Sequence, residues 1–176
     1  MTAAARATAA SPRMHPTRHG LDEDTRRSIV IVLNQRLADA MDLYGQTKHA
    51  HWNVKGMNFF QLHELFDKLA EIVEGHVDLI AERATALGGT ALGTVRMAAA
   101  GTSLPEFPEN PTTDAAFVEA LADRYARHAR GVGEAIDRAE QAGDRATADL
   151  LTQIARDLDQ ALYFLESHLQ SPSGTP

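Results

Sequence analysis

Four long segments of this chain carry apolar residues at the spacing of an α-helix, and no segment shows a strand pattern strong enough to compete. The pattern predicts helices over about residues 22–51, 60–87, 113–142 and 146–169. Short turns containing Gly56 and Gly143 separate the members of each pair, whereas about two dozen residues, 89–111, connect the two pairs. Because a short turn places consecutive helices side by side and antiparallel, the chain is expected to form two helical hairpins.

Local signals mark where these helices begin and end. Residues 22–24 are acidic and suit the positive end of the first helix dipole, and Thr113 is a cap for the third helix. Gly88 ends the second helix. The long connection holds three prolines and three glycines and is predicted to contain a short helix near residues 95–100. This connectivity predicts an all-α, ferritin-like four-helix bundle with a short helix in the crossover between helices 2 and 3.

The composition limits the fold and the chemistry. A chain of 176 residues with 44% hydrophobic content is long enough to bury one core. Cysteine is absent, which excludes disulfides, thiolate metal sites and nucleophilic thiols. The longest strongly apolar run, at residues 29–33, is too short to span a membrane, so no membrane partner is expected.

The N-terminal segment differs from the rest of the chain in charge. Residues 1–20 contain no acidic residue and carry Arg6, Arg13 and Arg18, so we expect a flexible basic tail. The bundle is expected at residues 21–170, and residues 171–176 are expected to form a short disordered tail. Since the whole chain carries −7 and the tail +3, the remainder carries −10.

Five side chains are candidate metal ligands, namely His51, His63, Asp67, Asp78 and Glu82. His63 and Asp67 lie one helical turn apart, as do Asp78 and Glu82, so each pair shares a helix face. The two pairs are roughly 22 Å apart along one helix axis, too far to bind one ion in a single subunit. Either they are unrelated solvated pairs, or a second copy of the chain brings them together.

A twofold axis near Ile72 and Val73 would unite the two pairs. The residue numbers 63 and 82 add up to the same total as 67 and 78. In an antiparallel twofold contact of the second helix with its own copy, residues with the same total lie at the same level, so each pair of one chain would face the other pair of its copy. Mixed imidazole and carboxylate ligation suits iron or zinc. No Glu-x-x-His motif occurs in the chain, so a ferritin-type site inside one bundle is not expected.

Each of these residues also has a simpler structural interpretation. An isolated His/Asp or Asp/Glu pair is more often a solvated helix face, and His76 is more often a satisfied interface histidine than a ligand. His49 and His51 point in different directions, and helix geometry alone does not choose between them. The His63-Glu64-x-x-Asp67 segment lacks the second histidine of a zinc-protease helix.

The chain resembles the Dps family, the DNA-binding proteins from starved cells, over roughly residues 22–170. The resemblance rests on Lys48-His-Ala-His-Trp-Asn-Val-Lys-Gly56, Asn58-Phe-Phe-Gln-Leu-His-Glu-Leu-Phe-Asp67, Asp78-Leu-Ile-Ala-Glu-Arg83, Ala86-Leu-Gly-Gly89, Thr147-Ala-Asp-Leu-Leu151 and Arg156-Asp-Leu-Asp159. It implies a cytoplasmic homo-oligomer of twelve subunits that oxidises Fe(II), preferentially with hydrogen peroxide, and stores Fe(III). Such an assembly would be associated with the nucleoid if it binds DNA.

The resemblance also implies roles for single residues. It places His51, His63 and Asp67 of one subunit and Asp78 and Glu82 of its partner in an intersubunit ferroxidase centre. It thereby chooses His51 over His49. It also sets Trp52 beside the site, where it would take up radical equivalents. Iron is the expected metal, with zinc or another divalent ion possible in its place.

Three further sites are weaker expectations. Carboxylates near the turn between the third and fourth helices resemble the lining of the family's iron-entry pores; they are Glu140, Asp144 and Asp149. A further metal site at the base of the tail would use His15, His19, Asp22 and Glu23. DNA would bind through Arg6, Arg13 and Arg18, because the acidic body repels a duplex.

Two alternative function classes remain open from the sequence. The chain would act as a mainly structural nucleoid protein that binds DNA and has weak iron chemistry, or as a cage recruited to another reaction such as metal-dependent amide hydrolysis. No nucleophile or substrate pocket is recognisable for the latter.

Overall fold

A computed structural model describes residues 13–170, and these residues form five α-helices and no strand. The helices are α1 (Glu23–Asn53), α2 (Phe59–Ala86), α3 (Val95–Gly101), α4 (Asp114–Gln141) and α5 (Arg145–Ser167). The long helices α1, α2, α4 and α5 lie within a few residues of the predicted bounds, and α3 is the short helix expected in the crossover. The all-α prediction is confirmed.

Side-chain caps fix the beginnings of three of the four long helices. The Asp22 carboxylate accepts a hydrogen bond from the Thr25 backbone N–H at 2.9 Å, and the Thr113 hydroxyl accepts one from the Ala116 N–H at 3.1 Å. Asp144 caps α5 by accepting from the Thr147 N–H at 3.1 Å. These caps satisfy N–H groups that have no partner inside the helix.

The two hairpins pack against each other around one apolar core. α1 packs along α2, α4 packs along α5, α1 also contacts α4, and α3 lies on α1. The largest fully buried side chains come from all four long helices and include Leu33, Phe66, Tyr125 and Leu151. One core therefore fixes the relative positions of the helices that carry the candidate ligands.

Helix α2 is continuous from Phe59 to Ala86, so it sets the spacing of four of the five candidate ligands. Its buried face carries Leu62, Phe66, Leu69, Val73 and Ile80. Two further apolar side chains of α2, Leu65 and Ile72, are only partly buried because they lie at the edge of this face. Asp78 and Glu82 are exposed.

The N-terminal strap, residues 13–20, contacts the bundle, which differs from the flexible tail predicted for all of residues 1–20. The His15 N–H donates to the Gly88 carbonyl at 2.7 Å, and the Arg26 guanidinium donates to the Leu87 carbonyl at 2.7 Å. Gly88 has φ +85°, and a Cβ there would lie 2.7 Å from the His15 carbonyl oxygen. This turn therefore requires glycine both for its backbone angle and for the approach of the strap.

Some sequence predictions fall outside the part of the chain that the structure describes. Arg6 and residues 171–176 lie there, whereas Arg13 and Arg18 are described and exposed. Among the helices of residues 13–170, none is long and apolar enough to cross a membrane.

Candidate metal centre

Two histidines from different helices form the centre of the candidate site. His51 lies in the last turn of α1 and His63 near the start of α2, where the short turn between these helices brings them together. The two rings stack with centroids 3.8 Å apart. His51 Nδ1 lies 2.8 Å from the His63 carbonyl oxygen, and His63 Nδ1 lies 3.0 Å from the His51 carbonyl oxygen.

These reciprocal hydrogen bonds fix the protonation of both rings. A carbonyl oxygen only accepts, so each Nδ1 must carry the hydrogen. In a neutral imidazole, the Nε2 atom is then left with a free lone pair, which is the form that binds a metal. Hydrogen bonds of this kind also hold a ligand ring in one orientation. The pair is therefore arranged to offer two Nε2 ligands.

Asp67 lies beside the histidine pair, one turn after His63. Its Oδ1 is 3.8 Å from His51 Nε2 and 2.6 Å from Lys48 Nζ. The hydrogen bond from Lys48 keeps the pKa of the Asp67 carboxyl below its usual value, and the nearby His51 and His63 act in the same direction. Asp67 is thus ionised and held by a lysine that neutralises its charge in the single subunit.

The remaining two candidate ligands lie elsewhere on α2. Asp78 and Glu82 are exposed, and the continuous helix keeps them roughly 16 Å or more along its axis from Asp67. Within one subunit, residues 13–170 contain no group of three or more His, Asp or Glu side chains placed to hold a metal ion. We call His51, His63 and Asp67 the histidine half-site, and Asp78 with Glu82 the carboxylate half-site.

Trp52 follows His51 directly and is 63% exposed. Lys48 Nζ lies 5.9 Å from its ring centroid, so the lysine approaches both the tryptophan and Asp67. Covering this large aromatic side chain in an assembly would lower the free energy of the protein.

The structure contradicts one of the predicted pore residues. Asp144 is 2% exposed, caps α5, and pairs with Arg83 through Oδ1 at 2.7 Å. A carboxylate that is buried and paired with an arginine does not line a water-filled pore. The sequence alone does not reveal that Arg83 of α2 reaches Asp144. Glu140 and Asp149 are exposed, and their pore role stays a prediction.

The residues of the predicted tail-base metal site have other partners. The Asp22 carboxylate caps α1, and His19 Nδ1 accepts a hydrogen bond from the Leu21 N–H at 3.2 Å. His15 and Glu23 are exposed. In one subunit, the described part of the chain does not gather these four side chains into a metal-binding group.

Sequence reasoning missed the role of Lys48. Its position three residues before His51 predicts a shared helix face with that histidine, but its ion pair with Asp67 joins α1 to α2. That contact depends on how the two helices pack, which no local pattern reports.

Known proteins share both this fold and much of this sequence. A family model described as a ferritin-like domain matches residues 32–173. The DNA protection during starvation protein of Agrobacterium fabrum is 40% identical over 161 residues, which are 92% of this chain and 99% of that protein. The chain belongs to the Dps family. The resemblance drawn from the motifs is thus confirmed.

Solved Dps structures match the fold over nearly the whole chain. DpsA14 from Streptomyces coelicolor is 33% identical with a TM-score of 0.88, covering 94% of this chain and 98% of that one. An archaeal Dps homologue from Halobacterium salinarum is 30% identical with a TM-score of 0.86, covering 98% and 95%. The predicted ferritin-like bundle is confirmed as the fold of a Dps protein.

Proposed function

We propose that this Dps-family protein is a cytoplasmic ferroxidase and iron store whose centre is shared by two copies of the chain. The observation that supports this most strongly is the His51–His63 pair, in which both Nδ1 atoms are engaged and both Nε2 atoms are left for a metal. Asp67 completes the histidine half-site, and the carboxylate half-site of a partner completes the centre.

Helix geometry supports the twofold arrangement. Residues 63, 67, 78 and 82 lie along one continuous helix, at equal distances on either side of its midpoint near Ile72 and Val73. An antiparallel twofold contact of α2 with its copy sets each histidine half-site opposite a carboxylate half-site. Each dimer then holds two centres, and each centre draws ligands from both subunits.

The assembled centre carries net negative charge. In one subunit Lys48 balances Asp67, so the histidine half-site together with Lys48 carries no net charge. Asp78 and Glu82 of the partner subunit add two negative charges to it. Carboxylates stabilise Fe(III) more than Fe(II), because Coulomb attraction grows with the charge of the ion. The shared centre therefore favours oxidation of the iron that it binds.

Iron is the substrate of the proposed reaction. Two Fe(II) ions each give one electron to one hydrogen peroxide, its O–O bond breaks, and two protons complete two water molecules. The Nε2 nitrogens and the carboxylates position the ions, and Trp52 lies next to them to take up a stray oxidising equivalent. Zinc, which has no redox chemistry, would occupy the same ligands and block the reaction.

A closed assembly of twelve subunits would retain the ferric product. Oxidation coupled to storage removes both Fe(II) and peroxide, the reagents of hydroxyl-radical formation, and so would protect DNA. Glu140 and Asp149 remain candidates for a pore that concentrates Fe(II) by its negative potential.

The test removes the carboxylate half-site. Asp78→Ala with Glu82→Ala is expected to slow peroxide-driven iron oxidation by roughly tenfold or more, since two of five ligands are lost. Stopped-flow absorbance of Fe(III) on the assembled protein measures the rate. Glu119→Ala with Asp123→Ala is the matched control, because it removes an exposed carboxylate pair at the same spacing from α4. A double variant at 78 and 82 that keeps the parent rate would refute the assignment.

DNA attachment is a second candidate function, supported by the exposed Arg13 and Arg18 of the strap. Repeated over an assembly, weakly basic tails would bind a duplex by multivalency, with an affinity that falls with salt. Replacing Arg6, Arg13 and Arg18 with alanine tests this better than truncation, because the strap packs on Gly88. Unchanged DNA retention at low salt in this variant would exclude the tails as the attachment site.

A further inference from the structure

A cleft of about 300 Å³ lies where α1, α4 and the end of the crossover meet. This volume is at the lower end of the range for small-molecule sites, about 300–1,000 Å³. The polar and charged side chains that line it are Gln35, Arg36, Ser103, Glu134 and Arg138. The cleft is remote from the candidate metal centre, because Arg36 and His51 are roughly 22 Å apart along α1.

Arg36 brings a buried positive charge to this cleft. Its side chain is 10% exposed, and its guanidinium makes no hydrogen bond within residues 13–170. Asp39 Oδ2 lies 3.0 Å from Arg36 Nη2, which makes an ion pair, but that oxygen has no hydrogen-bond partner. A guanidinium has five N–H donors, and burying them without acceptors is unfavourable. The arginine therefore has donors left for a ligand in the cleft.

The backbone of α4 leaves room for this guanidinium. A Cβ at Gly131 would lie 2.7 Å from Arg36 Cζ and 3.3 Å from Nη2, so a side chain at this position would displace the planar group. Gly131 lies in the interior of α4, where glycine is less favourable than alanine. A residue that disfavours the helix thus stands at the point where Arg36 is held.

A second positive side chain shares the cleft. Arg138 is exposed, and it makes no ion pair or hydrogen bond within the part of the chain that the structure describes. Burial lowers the pKa of Arg36, Asp39 and Glu134 oppose this effect, and the charge of Arg138 acts in the same direction as burial. The two guanidinium groups therefore repel each other. An oxyanion between them would accept charge-assisted hydrogen bonds from both.

Glu134 restricts the kind of oxyanion that fits. It lines the same cleft, and an ionised carboxylate only accepts hydrogen bonds. It therefore repels an anion without a proton and accepts a hydrogen bond from one that carries a proton. Orthophosphate keeps a proton near neutral pH, whereas sulfate and the phosphodiesters of DNA have none.

We propose that this cleft binds orthophosphate between the guanidinium groups of Arg36 and Arg138. Ser103 supplies a further hydroxyl donor, and Glu134 accepts a hydrogen bond from the protonated phosphate oxygen. The site needs neither iron nor a second subunit, so it goes beyond the proposed ferroxidase function and its test does not depend on that function.

Titration calorimetry of the iron-free assembled protein with orthophosphate tests the proposal. Saturable binding is expected, and Arg138→Gln should weaken it about tenfold or more, because a charge-assisted contact is lost. Arg156→Gln is the matched control, since it removes the same charge from an exposed position on α5 outside the cleft. No saturable binding by the parent, or equal weakening in the two variants, would overturn the proposal.

Selectivity and position are tested separately. The parent should bind sulfate about tenfold or more weakly than phosphate, and Glu134→Gln should narrow this difference; equal binding of the two anions by the parent would contradict the role of Glu134. In a crystal grown with arsenate, which has the shape and protonation of phosphate, anomalous scattering should place the anion in contact with Arg36 and Arg138. Water alone between these side chains would refute the site.

Discussion

At the scale of single residues, the candidate centre depends on two histidines that fix each other. Each ring donates from Nδ1 to the other residue's carbonyl, so the orientation and tautomer of both are set before any metal arrives. Preorganisation of this kind reduces the conformational entropy that the two side chains would lose on binding a metal ion. The sequence predicted both histidines as candidate ligands, but not the reciprocal bonds, because those depend on the approach of α1 to α2.

Lys48 is expected to compete with Fe(II) for Asp67. Lys48→Met removes a positive charge 2.6 Å from the carboxylate, so anaerobic Fe(II) affinity should rise by about two- to fivefold, the range expected for a partly exposed ion pair. Titration calorimetry without oxidant measures it. Lys55→Met is the matched control, since Lys55 lies over Phe59 and no ion pair between it and a carboxylate occurs in the described chain. Weaker Fe(II) binding by Lys48→Met would show that the lysine assists the site.

His128 is expected to make stability depend on pH. Burial, with Arg36 and His76 nearby, lowers its pKa to about 3 from an ordinary value of 6.5. Between these two pH values, the His128 ring binds a proton in the unfolded chain but not in the folded chain. The free energy of unfolding therefore falls as the pH drops from about 6.5 towards 3. The slope from this one group approaches about 1.4 kcal/mol per pH unit.

The comparison of His128→Leu with the parent isolates this contribution. Unfolding free energies from urea titrations between pH 7 and pH 4 should fall less steeply for the variant. Parallel slopes for the two proteins would mean that His128 does not titrate on unfolding. Arg36 and His76, whose charges add to the effect of burial, are present in both proteins, so the difference between the two slopes reports the removal of the His128 ring.

At the scale of helices, periodicity and caps were sufficient to predict the architecture. The apolar spacing, the glycine turns and the Thr113 cap placed all five helices within a few residues. Contacts between helices were not predictable in this way. Asp144 was predicted to line a pore, but it is buried and pairs with Arg83 from α2. The strap belongs to the segment predicted as a flexible tail, and its His15 N–H hydrogen-bonds to the Gly88 carbonyl.

Replacing either of two glycines of α4 with alanine is expected to change the stability in opposite directions. A Cβ at Gly131 would lie 2.7 Å from Arg36 Cζ and closer still to Nη1, whereas a Cβ at Gly133 meets nothing within 4 Å. Gly131→Ala should cost about 1–3 kcal/mol, because Arg36 is buried and paired with Asp39 and cannot move freely.

Gly133→Ala is the internal control on the same helix. It should stabilise the protein by about 0.5–1 kcal/mol, through reduced backbone entropy in the unfolded chain. Chemical denaturation at one protein concentration compares both variants with the parent. Equal effects at the two positions would show that α4 does not pack on Arg36 as described.

At the scale of the whole molecule, the proposed centre is divided into two half-sites. The distance between the histidine half-site and the carboxylate half-site is set by one continuous helix, so no local movement can join them within a subunit. Exposed Trp52 and the exposed carboxylates at 78 and 82 are the surfaces that a second copy would cover. The proposed function therefore predicts that iron oxidation requires assembly.

Mixing two inactive variants tests this sharing most directly. One variant carries His63→Ala with Asp67→Ala, and the other carries Asp78→Ala with Glu82→Ala. Each alone should oxidise Fe(II) with peroxide slowly, because every centre lacks two ligands. In a mixed dimer, one centre loses all four ligands and the other regains its full set.

The decisive measurement is the stopped-flow oxidation rate of assemblies purified from cells that express both variants. Random pairing makes half of the dimers mixed, each with one intact centre, so the rate should recover to about a quarter of the parent value. Assemblies that stay as slow as the separate variants would contradict a centre shared between subunits.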